Sequence, residues 1–189
     1  MNRNLMKRQN SCVLITLLCG LFLFSCGQQP ATNESNEQSS KKTELQYYDK
    51  IVGTWLVVET QESDESITSL EINEMFYETG AYKSTGTMKI TTSGVTLTYT
   101  MTLNGKYRIK GSILSYDYDI KSFSLKPQTN PKPTPTQKYM YENMTDHLVA
   151  GLKKSMINDD TSEEIVEITK TSMVYKTPEG EQKTRKRIK

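Results

Sequence analysis

Val95-Thr96-Leu97-Thr98-Tyr99-Thr100-Met101-Thr102-Leu103, followed by Asn104-Gly105 and then Lys106-Tyr107-Arg108-Ile109-Lys110-Gly111, decides the fold class of this chain. Apolar residues and threonines alternate without a fault from Val95 to Leu103, the period of two that gives a strand one buried and one wetted face. β-Branched and aromatic residues also suit a pleated, half-buried surface. Asn-Gly readily takes the positive φ angles of a type I′ turn, so the spacing predicts a hairpin at Asn104-Gly105. Tyr107 and Ile109 would then be the apolar positions of the returning strand.

Toward the amino terminus the same signature repeats. Ser93-Gly94 predicts the turn into the threonine ladder from a strand over Tyr82–Thr92, interrupted by Gly86, and Thr79-Gly80 an earlier turn. Leu70–Glu78 reads as a strand with Leu70, Ile72 and Phe76 in phase, and Met75 and Tyr77 out of phase as if across a bulge. Gln61–Ser66 is a polar loop, and Ile51–Thr60 reads as the first strand, after a short helical turn over Tyr47–Lys50.

Toward the carboxyl terminus, Ile113–Asp119 and Ile120–Leu125 read as two further strands. Pro127, Pro131, Pro133 and Pro135 then exclude a central strand and favour an extended loop. In Gln137–Ile157, Tyr141, Met144, Leu148, Leu152 and Met156 recur at three and four residues, which predicts an amphipathic helix ending near Asn158. Ile165–Thr169, Met173–Lys176 and Glu181–Ile188 are the last strands, with Pro178-Glu179-Gly180 turning between the final two. Eight to ten short strands and one helix inserted before the last of them imply a mainly β protein, an antiparallel barrel that is closed or half-open.

Gly53-Thr54-Trp55 in the first strand, taken with Gly105-Lys106-Tyr107-Arg108-Ile109-Lys110-Gly111-Ser112-Ile113-Leu114, resembles the lipocalin-like lipoproteins of Bacteroidetes-type bacteria, from about Ile51 to the last residue. The resemblance implies a barrel closed at one end by the Gly-x-Trp motif, Gly53 and Trp55 here, with an interior able to hold a small apolar molecule. It also implies an arginine from the last strand lying over the tryptophan, for which Arg185 and Arg187 are both candidates. The chain departs from typical lipocalins in lacking disulfides and in placing its helix before the final strands.

The first 44 residues read differently. Arg3, Lys7 and Arg8 form a basic region, Ser11–Phe24 is an apolar run too short for a comfortable transmembrane helix, and Leu23-Phe24-Ser25-Cys26 resembles the lipobox of bacterial lipoproteins. That resemblance implies a signal peptide over residues 1–25, cleavage before Cys26 and lipid attached to Cys26. Residues 26–44 form a polar tether without aromatic residues, too poor in apolar surface to offset chain entropy. The barrel domain is expected over residues 45–189. The expected address is the bacterial cell envelope, lipid-anchored on the periplasmic or the surface face of the outer membrane.

Charge and cysteine support that division. The whole chain carries 24 basic and 22 acidic residues, a formal +2, but without Arg3, Lys7 and Arg8 the mature protein would be at −1. The balance gives no reason to expect a nucleic-acid partner. Cys12 and Cys19 fall in the leader and Cys26 would carry lipid, which leaves no thiol for a disulfide, a nucleophile or a zinc site.

No catalytic constellation, metal site or cofactor motif emerges. His147, the one histidine, is beside Asp146 on the expected helix, and adjacent helical residues do not face each other. Asp117 and Asp119 alternate with Ser115 on a strand, and Asp159-Asp160 lies in a loop; neither has the ligand number or glycine of a calcium loop. Acidic pairs of a glycosidase type are not singled out. Lys183, Arg185, Lys186, Arg187 and Lys189 read as a solvated last strand that discourages edge pairing rather than as an anionic-surface contact. Tyr116 and Tyr118 fall at core or barrel-lining positions.

The functional expectation is a non-enzymatic binder of a small apolar or amphipathic molecule, with Val95, Leu97, Tyr99, Met101, Tyr107 and Ile109 as a mostly apolar wall carrying two phenol hydroxyls. The alternative is an envelope interaction module that binds protein or glycan through its outer face, its barrel filled by side chains. A hydrolase is third.

Overall fold

A computed structural model describes residues 47–158 and 161–189. The expected signal peptide over residues 1–25, Cys26, the expected tether and Asp159-Asp160 therefore lie outside the described residues. A helical turn over residues 47–51 leads into β1 (Gly53–Glu62). There follow β2 (Ser66–Phe76), β3 (Ala81–Thr92), β4 (Val95–Lys110), β5 (Ile113–Pro127), α1 (Pro135–Asn158), β6 (Glu163–Ile168), β7 (Ser172–Lys176) and β8 (Gln182–Arg187). Each strand pairs antiparallel with the next, and β8 returns to β1, so the described residues form a closed eight-stranded barrel with one helix inserted before the last three strands. This is the architecture of a lipocalin-like barrel.

The hairpin expected at Asn104-Gly105 does not form. β4 runs straight through both residues, and its turns lie at Ser93-Gly94 and Gly111-Ser112. Ser93 and Gly94 both have positive φ, as a type I′ turn requires, and Gly111 supplies the positive φ at the second hairpin. Gly105 serves another purpose: a Cβ there would stand 2.6 Å from the carbonyl oxygen of Asp117, so only glycine lets β5 approach.

β5 is likewise one strand rather than two. While β4 advances from Thr102 to Asn104, β5 moves from Ser124 to Asp119, leaving a bulge in which the Ser122 hydroxyl accepts the Asn104 N–H at 2.8 Å and donates to the Asp119 carbonyl at 2.7 Å. The bulge switches the inward phase, from Leu114, Tyr116 and Tyr118 before it to Phe123 and Leu125 after it. β2 keeps an unbroken register with β1, so the bulge expected at Met75 is absent, and Tyr77 lies beyond the strand.

Two apolar clusters fill the interior. At the end where β1 begins, Trp55, Phe76, Tyr82, Tyr107, Leu114 and Met173 pack together. At the other end Met88, Leu97, Tyr99, Met101, Phe123 and Leu125 pack under α1 through Tyr141 and Leu148. The Tyr141 hydroxyl accepts the Thr98 N–H at 2.9 Å and donates to the Thr98 carbonyl at 3.0 Å, which ties the helix to β4. Thr134 and Gln137 exchange bonds across the first turn of α1, a capping box.

Candidate functional site

β1 and β8 are in register only at Trp55–Arg187 and Leu56–Lys186. Beyond Leu56 the two strands part, and the gap widens into a recess of about 460 Å³ at the end of the barrel opposite Trp55. β1 contributes every residue from Val57 to Gln61, β2 Thr68 and Leu70, β7 Tyr175 and β8 Lys183 and Thr184, with Glu181 just before it. Val57, Glu59 and Gln61 share the inward face of β1 with Trp55, and Val58 and Thr60 join them from the outer face because the unpaired edge of β1 opens onto the gap.

A side-chain bridge crosses the gap where backbone pairing stops. Lys183 Nζ donates to Glu59 Oε1 at 3.0 Å, and Glu181 lies 3.5 Å from the same ammonium. Burial works against the Lys183 charge, but these two carboxylates outweigh it and hold the ammonium pKa above its ordinary value.

Behind Tyr175 the barrel contains a buried ionic network. Arg185 is 3% exposed, and its guanidinium lies 3.8 Å from the centre of the Tyr175 ring. Its Nε donates to Glu74 Oε2, and its Nη2 donates to Glu163 Oε1 at 2.9 Å and to the Tyr116 hydroxyl at 3.1 Å. Tyr82 donates to Glu74 Oε1 at 2.6 Å and Tyr116 to Glu163 Oε2 at 2.8 Å. Burial raises the Glu163 pKa, opposed by Arg185, and it raises the Tyr82 and Tyr116 phenols well above theirs. Burial acts to lower Arg185, but Glu163 and Glu74 prevail and keep it charged.

Arg187 takes the place over the tryptophan, its guanidinium 4.1 Å from the Trp55 ring centre, while Arg185 turns into the barrel. Gly53, at φ 139°, leaves room for it: a Cβ would stand 2.6 Å from Arg187 Nη1 and 2.7 Å from the Lys189 carbonyl oxygen. The expectation of a solvated β8 is therefore overturned. Lys183, Arg185 and Arg187 face inward and only alternate residues such as Lys186 face out, because β8 is paired on both sides.

Leu97, Tyr99 and Met101 pack in the cluster under α1, with Val95 beside it, and Tyr107 and Ile109 pack in the Trp55 cluster; none of the six lines the recess. Asp117 and Asp119 are exposed, as is His147 on α1. Among the described residues no three His, Cys, Asp or Glu side chains are grouped to hold a metal ion. Sequence reasoning missed Glu59, Tyr175 and Lys183, although Glu59 stands in phase with Trp55 and Val57.

No protein-family model matches the chain, and no curated protein is significantly similar to it.

Proposed function

We propose that this chain is a non-enzymatic lipocalin-like lipoprotein of the bacterial cell envelope, anchored through Cys26, and that its barrel binds a small apolar or amphipathic molecule in the recess between β1 and β8. The observation that carries this reading is the parting of the two strands beyond Leu56. It produces a concave space of about 460 Å³ with Val57, Leu70 and Tyr175 as apolar wall and Thr68, Gln61, Glu59 and Lys183 as polar groups. Small-molecule sites are usually concave, of about 300 to 1,000 Å³, with a few polar groups set in an apolar wall.

Two measurements test the reading. Residues 45–189, exposed to an envelope lipid extract and passed through native mass spectrometry, should retain a small molecule, and that molecule should raise the melting temperature. Ligand at about 100 times its Kd adds about 2.7 kcal/mol to the native state. Full-length protein carrying Cys26→Ala should either accumulate with its leader uncleaved or lose detergent partitioning, and equal partitioning with unchanged mass would remove the lipid anchor. An extract that yields no retained species and no thermal shift would remove the binder.

The packed interior supports a second reading. Tyr99, Met101, Tyr107 and the residues around them fill both ends of the barrel with side chains. An envelope interaction module using its outer face for protein or glycan follows if the recess proves empty.

A further inference from the structure

The recess itself indicates the charge of its occupant. Three charged side chains border it, Glu59, Glu181 and Lys183, which leaves one carboxylate in excess. Directly behind its Tyr175 wall stand Glu74 and Glu163 with Arg185 alone between them, a second excess of carboxylate. Were Glu163 to hold a proton, three carboxylates would still face two cations. Low-dielectric walls concentrate such a field in the concavity rather than dispersing it.

An independent feature points the same way. Tyr175 is 3% exposed and lines the recess, yet its hydroxyl has no hydrogen-bond partner among the described residues. Of the other phenols beside the network, those of Tyr82 and Tyr116 donate to carboxylates, whereas Tyr118 stacks on Tyr116 and, like Tyr175, makes no such bond; of these two, Tyr175 is the one that lines the recess. The ring is buried but the hydroxyl is not among the buried unpartnered polar atoms, so its oxygen is open to the recess and free to accept a hydrogen bond from whatever enters. Glu59 and Glu181 accept only, so the group that satisfies all three is a multiple donor with positive charge. A divalent metal fits poorly, because it would stand against the Lys183 ammonium, which already bridges the two carboxylates, with twice the charge of an amine.

The geometry points to an organic amine as the ligand: a protonated ammonium held by Glu59, Glu181 and the Tyr175 hydroxyl, with an apolar body against Val57 and Leu70. On entry the ammonium shares Glu59 with Lys183, and the excess carboxylate of the recess is neutralised. This rests on the proposal that the recess binds a small molecule, and it assigns the chemical class.

The test uses full-length protein in lipid nanodiscs, with protein-free nanodiscs as the blank, and titration calorimetry with 4-phenylbutylamine, 4-phenylbutanol and 4-phenylbutyrate. The three probes share one apolar body and differ in the charge of the head. The amine is expected to bind about ten-fold more tightly than the alcohol, equivalent to about 1.4 kcal/mol, and the carboxylate more weakly than either. Glu59→Gln and, separately, the more exposed Glu181→Gln should reduce amine affinity and leave alcohol affinity unchanged, and Tyr175→Phe should weaken the amine while keeping the ring. Equal binding of amine and alcohol, or tighter binding of the carboxylate, overturns the assignment and leaves the recess standing as a binding site. Binding by none of the three overturns both.

Discussion

Arg187 covers Trp55: the guanidinium lies 4.1 Å from the ring centre, and the same side chain donates to the backbone carbonyls of Val52 and Lys50. The ring is fully buried, and its Nε1 donates to the Ile51 carbonyl at 2.7 Å. One arginine thus joins the end of β8 to the approach to β1 at the place where the barrel closes. Trp55→Ala should cost about 3 to 5 kcal/mol, as large aromatic truncations in cores do. Arg187→Ala should cost less, because a cation over an aromatic face contributes about 0.5 to 2 kcal/mol. Chemical denaturation of both variants checks the order, and a Trp55→Ala loss below about 1 kcal/mol would contradict the packing described.

Gly53 belongs to the same closure. Its φ of 139° lies where side chains are rarely tolerated, and a Cβ would meet both Arg187 and the Lys189 carbonyl. Gly53→Ala should therefore lower stability by about 1 to 3 kcal/mol through strain. It should also displace Arg187 from the ring, which near-ultraviolet circular dichroism of the lone tryptophan would register. An unchanged spectrum and midpoint would show that the backbone there can relax.

Arg185 is enclosed by Glu74 and Glu163, and its removal would leave two buried carboxylates without a cation. Breaking a buried pair from one side commonly costs about 3 to 5 kcal/mol. The pH dependence follows from sign. Burial already holds the Glu163 pKa above its ordinary value, so its protonated form favours the folded state, and that contribution is full below the ordinary carboxylate value and lost as pH rises from there through the raised one. Arg185→Met removes the cation that opposes burial at Glu163 and raises that carboxyl further, so the variant's deficit should be smaller at pH 5 than at pH 7. Equal deficits at the two pH values would mean that the loss is one of packing alone.

The barrel was legible because most of its strands present alternating residues. The threonine ladder, α1 and the two strands after it, β6 and β7, follow from period, and β8 only from the Pro178-Glu179-Gly180 turn before it. The ionic interior was not legible, for a physical reason: periodicity reasoning places charge outward, and here charge points in. Glu74 stands in phase with Leu70, Ile72 and Phe76, which was a readable signal of an inward carboxylate. β8 offered no such help, since Gln182–Arg187 contains no apolar residue from which to set a phase. The recess depends on where β1 and β8 stop pairing, and long-range register of that kind leaves no local trace.

Alkaline conditions should unfold the protein steeply. Burial raises the phenol of Tyr107 to about 12 and those of Tyr82, Tyr99 and Tyr116 above their ordinary value, whereas in the unfolded chain they ionise near 10. Above that pH the folded state binds more protons than the unfolded one, so stability falls as pH rises. Lys183 acts in the same direction, since its raised pKa stabilises the fold below the ordinary lysine value and that contribution fades as pH climbs through the raised one. Each such group removes up to about 1.4 kcal/mol per pH unit. Phenolate absorbance should then rise in two steps, the second coincident with loss of near-ultraviolet dichroism. A single smooth titration near pH 10 with dichroism retained would contradict the burial.

The Asn104-Gly105 pair tests how turn chemistry competes with phase. A two-residue turn there would pair Leu103 with Lys106 on the same face, turning Lys106 and Arg108 inward and Tyr107 and Ile109 outward. Burial of the odd-numbered residues instead continues unbroken from Leu97 through Leu103 to Tyr107 and Ile109, so the strand continues and the turn moves to Gly111-Ser112. Insertion of two glycines after Asn104 should therefore disrupt the β3–β4 and β4–β5 ladders together and destabilise the protein by several kcal/mol. The same insertion between Gly111 and Ser112 extends an existing loop and should cost about 1 kcal/mol or less, since closure entropy grows slowly with loop length. Gly105→Ala adds a third measurement, because its Cβ would collide with the Asp117 carbonyl across the ladder. Denaturation midpoints of the three variants decide between the two placements, and a tolerated insertion after Asn104 would restore the hairpin.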